Sequence, residues 1–199
     1  EEMYEHDTLR DEFIRLVECY GGSRDDQTLQ NMVMSLFEFV QSHPWPGIWL
    51  HNCTEAFNQP DGSDFGRTAW AKILVKSVRI ELAGLLNTME RAVDTIRTAN
   101  GLLPYLVVFQ KDISGIGSLI ANCEGPWDEL CRLFGSMEFD RLPGCGKDAD
   151  KNVQEQVKDV RNEVKDRIRK IREDIFLFDS SFINRDLKSL YPLVKCLSE

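Results

Sequence analysis

The residues from Gly66 to Ala99 contain no proline. Within them Trp70, Ile73, Leu74, Val78, Leu82, Leu85, Leu86, Met89, Val93 and Ile96 recur at spacings of three and four. That period belongs to an α-helix; a half-buried strand would alternate. The apolar positions cover more than one stripe, so at least the first half of the segment is expected to be central and largely buried. Gly84 marks the place where it would bend or divide in two. A helix this long, apolar on several sides, needs other helices around it.

The flanks supply them. Leu9, Phe13, Leu16, Val17 and Tyr20 fall at helical spacing, and Gly21-Gly22 closes that helix. Ser23 and Asp26 offer a cap for a second helix, which carries Leu29, Met32, Val33, Leu36, Phe37 and Val40 and ends before Pro44. Pro46 opens a third, short helix running to about Phe57. Pro104 opens another, from Tyr105 to about Gln110; without a partner strand pattern, a strand reading there is disfavoured. A compact helix follows from Pro126 to Phe134. Residues 150–175 are charge-dense, with valine or isoleucine at 153, 157, 160, 164, 168, 171 and 175. That is one narrow stripe on a long helix, either packed on the body or used as a coiled-coil contact. Ser180 or Ser181 caps a last helix, bent at Pro192. The expected fold is an all-α bundle of about eight helices around a central buried helix. Residues 1–140 form its core, and residues 141–199 add a charged C-terminal helix pair.

Charge narrows the partners. The net charge of −9 provides no surplus to neutralise phosphates, so nucleic acid is not an expected partner. No apolar run reaches the roughly 18 residues of a membrane span. Glu1-Glu2-Met3-Tyr4-Glu5 does not read as a signal peptide, and a chain opening on Glu1 reads as trimmed, its flanking signals or anchors lying outside these residues. The six cysteines are widely spaced and include no C-x-x-C, which favours scattered thiols over a zinc site. There is no G-x-S-x-G, H-E-x-x-H or P-loop, and none of the three histidines shares a helical face with a second ligand. No cofactor and no catalytic residue is assigned, and the chain is expected not to be an enzyme.

Two stretches carry a family resemblance. The first is Glu55-Ala-Phe-Asn-Gln-Pro-Asp-Gly-Ser-Asp-Phe-Gly-Arg67, leading into Thr68-Ala-Trp-Ala-Lys-Ile-Leu74. It resembles the first homology motif of the B-cell lymphoma two (Bcl-two) family of apoptosis regulators. The second, Gly125-Pro-Trp-Asp-Glu-Leu-Cys-Arg-Leu-Phe-Gly135, is similar to that family's second motif. The resemblance implies a groove that takes an amphipathic helix of a pro-death partner. Gly66 would let the ligand backbone approach, and Arg67 would pair with the ligand's aspartate. Leu29, Val33, Leu36, Phe37 and Val40 would line the pockets, with Phe65 and Trp70 at the floor. Trp127 and Leu74 would be structural.

The function expected from the sequence is therefore a non-enzymatic, Bcl-two-like module that binds amphipathic helices, cytoplasmic or tied to an organelle membrane by a segment outside these residues. Two alternatives accompany it. One is a scaffold that homo-oligomerises through residues 150–175. The other is a secreted helical protein of cytokine or lipid-carrier type, suggested by the even cysteine count and the Asn52-Cys53-Thr54 sequon.

Overall fold

A computed structural model of the chain describes residues 10–21, 27–60 and 62–198. The expected cap at Ser23 and Asp26, and the residues Leu9 and Gly22, lie outside them. The described residues form α1 (Arg10–Tyr20), α2 (Gln27–Gln41), α3 (Pro46–Glu55), α4 (Ala69–Thr98), α5 (Leu106–Ala121), α6 (Trp127–Ser136), α7 (Lys151–Asp174) and α8 (Ser180–Ser198). Short 3-10 turns at Phe65–Arg67 and Leu103–Tyr105 precede α4 and α5, and no strand occurs among these residues. The fold is all-α, with α4 its longest helix.

Residues group into two compact units. One comprises the described part of Glu1–Ser63 with Ser181–Glu199, the other Asp64–Ser180. Residue 140, the end of the core expected from the sequence, lies within the second unit.

In the first unit α1, α2 and α8 share a small core of Leu16, Leu29, Leu193 and Cys196, edged by Phe13, Val17, Met32, Leu190 and Leu197. Tyr191 donates its hydroxyl to the Glu55 carboxylate at 2.7 Å, which ties α8 to α3. That bond, chiefly, holds the Glu55 carboxyl below its ordinary range. Pro192 sits inside α8, and the helix continues through it to Ser198.

The second unit is built on α4. Val78, Leu82, Met89 and Ile96 are all but inaccessible, but Ile73 is 68% and Ile80 67% exposed, so the first half of α4 buries a single stripe and is not largely buried as expected. Gly84 lies within the unbroken helix, and no side chain would meet a Cβ added there. Asp150 caps α7 by accepting the N–H groups of Asn152 and Val153. The α7 stripe turns inward: Val157, Val164, Ile168 and Ile171 are buried. Burial of such side chains stabilises by about 1.5–3 kcal/mol each. Arg167 pairs with Glu81, fastening α7 to α4.

The loop between α6 and α7 is pinned at Gly101. Gly146 donates its N–H to the Gly101 carbonyl at 2.9 Å. Gly101 has φ of +71°, and a Cβ there would lie 2.8 Å from the Ala149 nitrogen. Only glycine meets both conditions without strain.

Candidate functional site

The two motif-bearing segments meet in the second unit. Asp64 accepts the Gly66 N–H at 2.9 Å and so opens the 3-10 turn. Thr68 accepts the Ala71 N–H at 3.1 Å and caps α4. The turn drives Phe65 edge-on into Trp127, with ring centroids 4.8 Å apart at 88°. Trp127 packs on Phe176, and Phe176 stacks on Phe134. Such aromatic pairs contribute about 0.5–1.5 kcal/mol each beyond area burial. The Trp127 indole donates to the Phe178 carbonyl at 3.0 Å, and Asp128 accepts the Ser180 N–H at 2.7 Å.

Sequence reasoning singled out Phe65, Gly66 and Trp127, and the structure brings these three together. Phe65 and Trp127 are buried. Gly66 faces Trp127 so closely that a Cβ would stand 3.2 Å from both the Trp127 nitrogen and its Cβ. Arg67 points to solvent, 88% exposed, with Asp64 at 3.8 Å. Trp70 is half-buried, and Leu74 is 37% exposed. Leu29, Val33, Leu36, Phe37 and Val40 belong to α2, in the first unit. Leu29 belongs to its core, Val40 is buried, Leu36 is half-buried, and Val33 and Phe37 are exposed.

Beside the aromatic cluster lies a groove of about 350 Å³. Lys72, Lys76 and Arg79 form one wall. Their spacing of four and three residues puts them on one face of α4. The lining also includes Gly125, just before α6, and Trp127 and Leu130 in its first turn. Arg79 pairs with Glu124 at 2.7 Å. Lys72 and Lys76 form no ion pair among the described residues. The neighbouring carboxylates are committed elsewhere: Glu129 to Arg132, Asp128 to the Ser180 amide and Asp64 to the Gly66 amide.

A second constellation, which sequence reasoning did not single out, is internal. Arg161 and Asp112 form a buried ion pair at 2.6 Å, their side chains 5% and 0% exposed. The guanidinium also donates to the Asp140 carbonyl at 2.8 Å and lies beside the Phe109 and Phe139 rings. Burial pushes the Asp112 carboxyl up, and Arg161 pulls against it. The Cys131 thiol is pushed up to about 11, chiefly by burial and then by Asp128 and Asp179. All six cysteines are free thiols. Among the described residues no cluster of three or more His, Cys, Asp or Glu side chains is placed to hold a metal ion.

Fold and site thus define an all-helical chain with a cation-lined groove and a buried ion-pair centre. No protein-family model matches it. Curated proteins do match, across its whole length. The chain is 45% identical over 202 residues to the A subunit of an ATP-dependent helicase/nuclease from Acetivibrio thermocellus. It is 44% identical over 200 residues to a protein of the same name from Ruminiclostridium cellulolyticum, and 38% identical to one from Clostridium novyi. In each case all of this chain is covered but only 16% of the relative, so the chain spans about a sixth of the curated proteins it matches.

These relatives overturn the functional expectation. They are not Bcl-two-like apoptosis regulators, and the resemblance rested on two short turn-to-helix steps that many helical chains contain. The expectation of a non-enzymatic chain falls as well, because the relatives are named as subunits of an ATP-dependent helicase/nuclease. Neither alternative matches them. The scaffold reading also loses its surface, since the α7 stripe is spent on internal packing. The exclusion of nucleic acid conflicts with the relatives' name too. A net charge sums over the chain and does not report a local cluster such as Lys72, Lys76 and Arg79. No helix among the described residues is long and apolar enough to cross a membrane.

Proposed function

We propose that this chain serves as a helical segment of the A subunit of an ATP-dependent helicase/nuclease and works as one part of that enzyme. One observation carries the proposal: identity of 37–45% that extends over all or nearly all of the chain, in proteins about six times longer. Identity at this level over so much of the chain reflects a shared fold and shared packing, whereas a motif match would be local. The chain has no G-x-x-x-x-G-K-[ST] sequence. In this reading the nucleotide-binding loop of the enzyme is supplied by the rest of the polypeptide.

The surface supports the same reading. Phe37, Phe39, Trp45 and Ile48, on and between α2 and α3, are each more than half exposed. Exposed large apolar side chains gathered in so short a stretch are characteristic of a face that another part of a protein covers. In the proposed setting, the remainder of the polypeptide covers it.

The test is a segment exchange. The corresponding stretch of the Acetivibrio thermocellus protein is replaced by this chain, and the complete enzyme is then assembled. ATP-driven strand separation and nuclease activity should both survive, while an unrelated helical bundle of the same length should abolish them. A well-folded chimera without ATP-driven strand separation would sink the proposal.

A further inference from the structure

The groove between α4 and α6 has a charge that its chain does not share. The chain carries −9 overall. Yet Lys72, Lys76 and Arg79 line one wall, and Glu124 is the one carboxylate residue of the lining. Glu124 is matched by Arg79, which leaves two lysines in excess. Both are exposed on a rigid helix and form no ion pair among the described residues. Two unneutralised cations side by side repel each other, and an arriving anion relieves that cost.

From Lys72 to Lys76 the helix rises roughly 6 Å, and from Lys72 to Arg79 roughly 10 Å. That step is of the same order as the spacing of successive phosphates along one nucleic-acid strand. The lining also includes Gly125, which adds no side chain, and Trp127 and Leu130, each only 1% exposed. Nothing in this lining resembles a base-reading pair of donors and acceptors. The surface fits a backbone and not a sequence.

We infer that this groove is a subsite for the phosphodiester backbone of one nucleic-acid strand, with Lys72 and Lys76 contacting successive phosphates. Arg79 is held in reserve by Glu124. The inference rests on the helicase/nuclease reading for its choice of nucleic acid as occupant, and on the charge geometry alone for its residues. Contact is electrostatic and independent of sequence, so it would steady the strand while the rest of the enzyme acts on it.

The experiment titrates the full 199-residue chain with fluorescent oligonucleotides, single- and double-stranded, between about 50 and 200 mM salt. The unaltered chain should bind, with affinity falling linearly in log–log form as salt rises. K72A/K76A should weaken binding equally for all sequences and reduce the magnitude of the salt slope by about 2. K72R/K76R should restore both. Glu124→Gln frees Arg79 and should steepen the slope by about 1. Lys170→Ala, on α7 and outside the groove, should leave the slope unchanged. An oligonucleotide with an uncharged methylphosphonate backbone should not bind, and inorganic phosphate should compete only weakly.

Absence of salt-dependent binding by the unaltered chain, or an unchanged slope in K72A/K76A, overturns the inference. Equal binding of inorganic phosphate and oligonucleotide overturns it as well, since a strand would then not be the occupant. The segment exchange reads the other proposal separately. A working chimera with an unchanged K72A/K76A slope removes the groove and keeps the segment. A failed chimera with the predicted slope change does the reverse.

Discussion

Removing Asp112 should be the most damaging single polar substitution in the second unit. Arg161 is 5% exposed and Asp112 fully enclosed, so neither can turn to water. Asp112 takes the Arg161 Nε–H at 2.6 Å and a weaker Nη2 contact at 3.4 Å. Asp112→Ala leaves the guanidinium with the Asp140 carbonyl at 2.8 Å and the ring faces, and with no counter-charge. One charge-assisted bond contributes about 1.5–3 kcal/mol, and the second, longer one less. An unpaired buried charge left by such a deletion typically costs about 3–5 kcal/mol. Against a total stability of about 5–15 kcal/mol, that is about a fifth or more of the fold. The assay is urea unfolding followed by far-UV circular dichroism, with free energies extrapolated to water. The companion variant D112L/R161M removes both charges and should lose far less than Asp112→Ala, because no charge is stranded. A loss below about 1 kcal/mol in Asp112→Ala would place the pair among ordinary surface ion pairs and refute the burial argument. So would a double variant as unstable as the single one.

Other outcomes follow from the same geometry. Gly66→Ala places a methyl 3.2 Å from the Trp127 nitrogen and 3.0 Å from Asp64 Oδ1, and should cost about 1–3 kcal/mol of overpacking, read as a lower melting temperature. Cys131 should alkylate more slowly at neutral pH than exposed Cys19, measured by mass spectrometry under native conditions. Its folded value of about 11 lies above the ordinary 9.0, so the folded chain keeps a proton that the unfolded chain gives up. The stability from this thiol is therefore complete below about pH 9 and lost as pH rises towards 11; Cys131→Ser should flatten that part of the pH–stability curve. A steep loss unchanged in Cys131→Ser would assign it to other groups. The segment exchange and the Lys72/Lys76 salt slopes test the functional proposals directly.

Much of the fold was legible in the sequence. The α4 periodicity, the stop before Pro44 and the start at Pro46 each identify a helix from neighbours three or four residues away. Two readings were too cautious. Gly84 does not break α4, which runs continuously from Ala69 to Thr98. The helix expected to end at about Gln110 runs unbroken to Ala121. The site was less legible. Phe65 and Gly66 were singled out as partner-binding and Trp127 as structural, and in the structure the three meet in an aromatic packing cluster. The lysines at 72 and 76 carried a readable signal, two cations one helical turn apart in an acidic chain, but the net charge masked it.

What the sequence determined by itself is what depends on local spacing: the all-α class, the long helix α4 and the presence of one apolar stripe on α7. These follow because a helix is built from bonds between residues four apart, and its buried face repeats with the same period. The tertiary structure decided what depends on distant partners. It set Arg161 against Asp112 across 49 positions. It brought the turn at Gly66 onto Trp127 and left Lys72 and Lys76 facing a groove with its acids already engaged. Those contacts form only when helices pack. Charge and burial at a residue are properties of its neighbours in space, and the chain order does not list them.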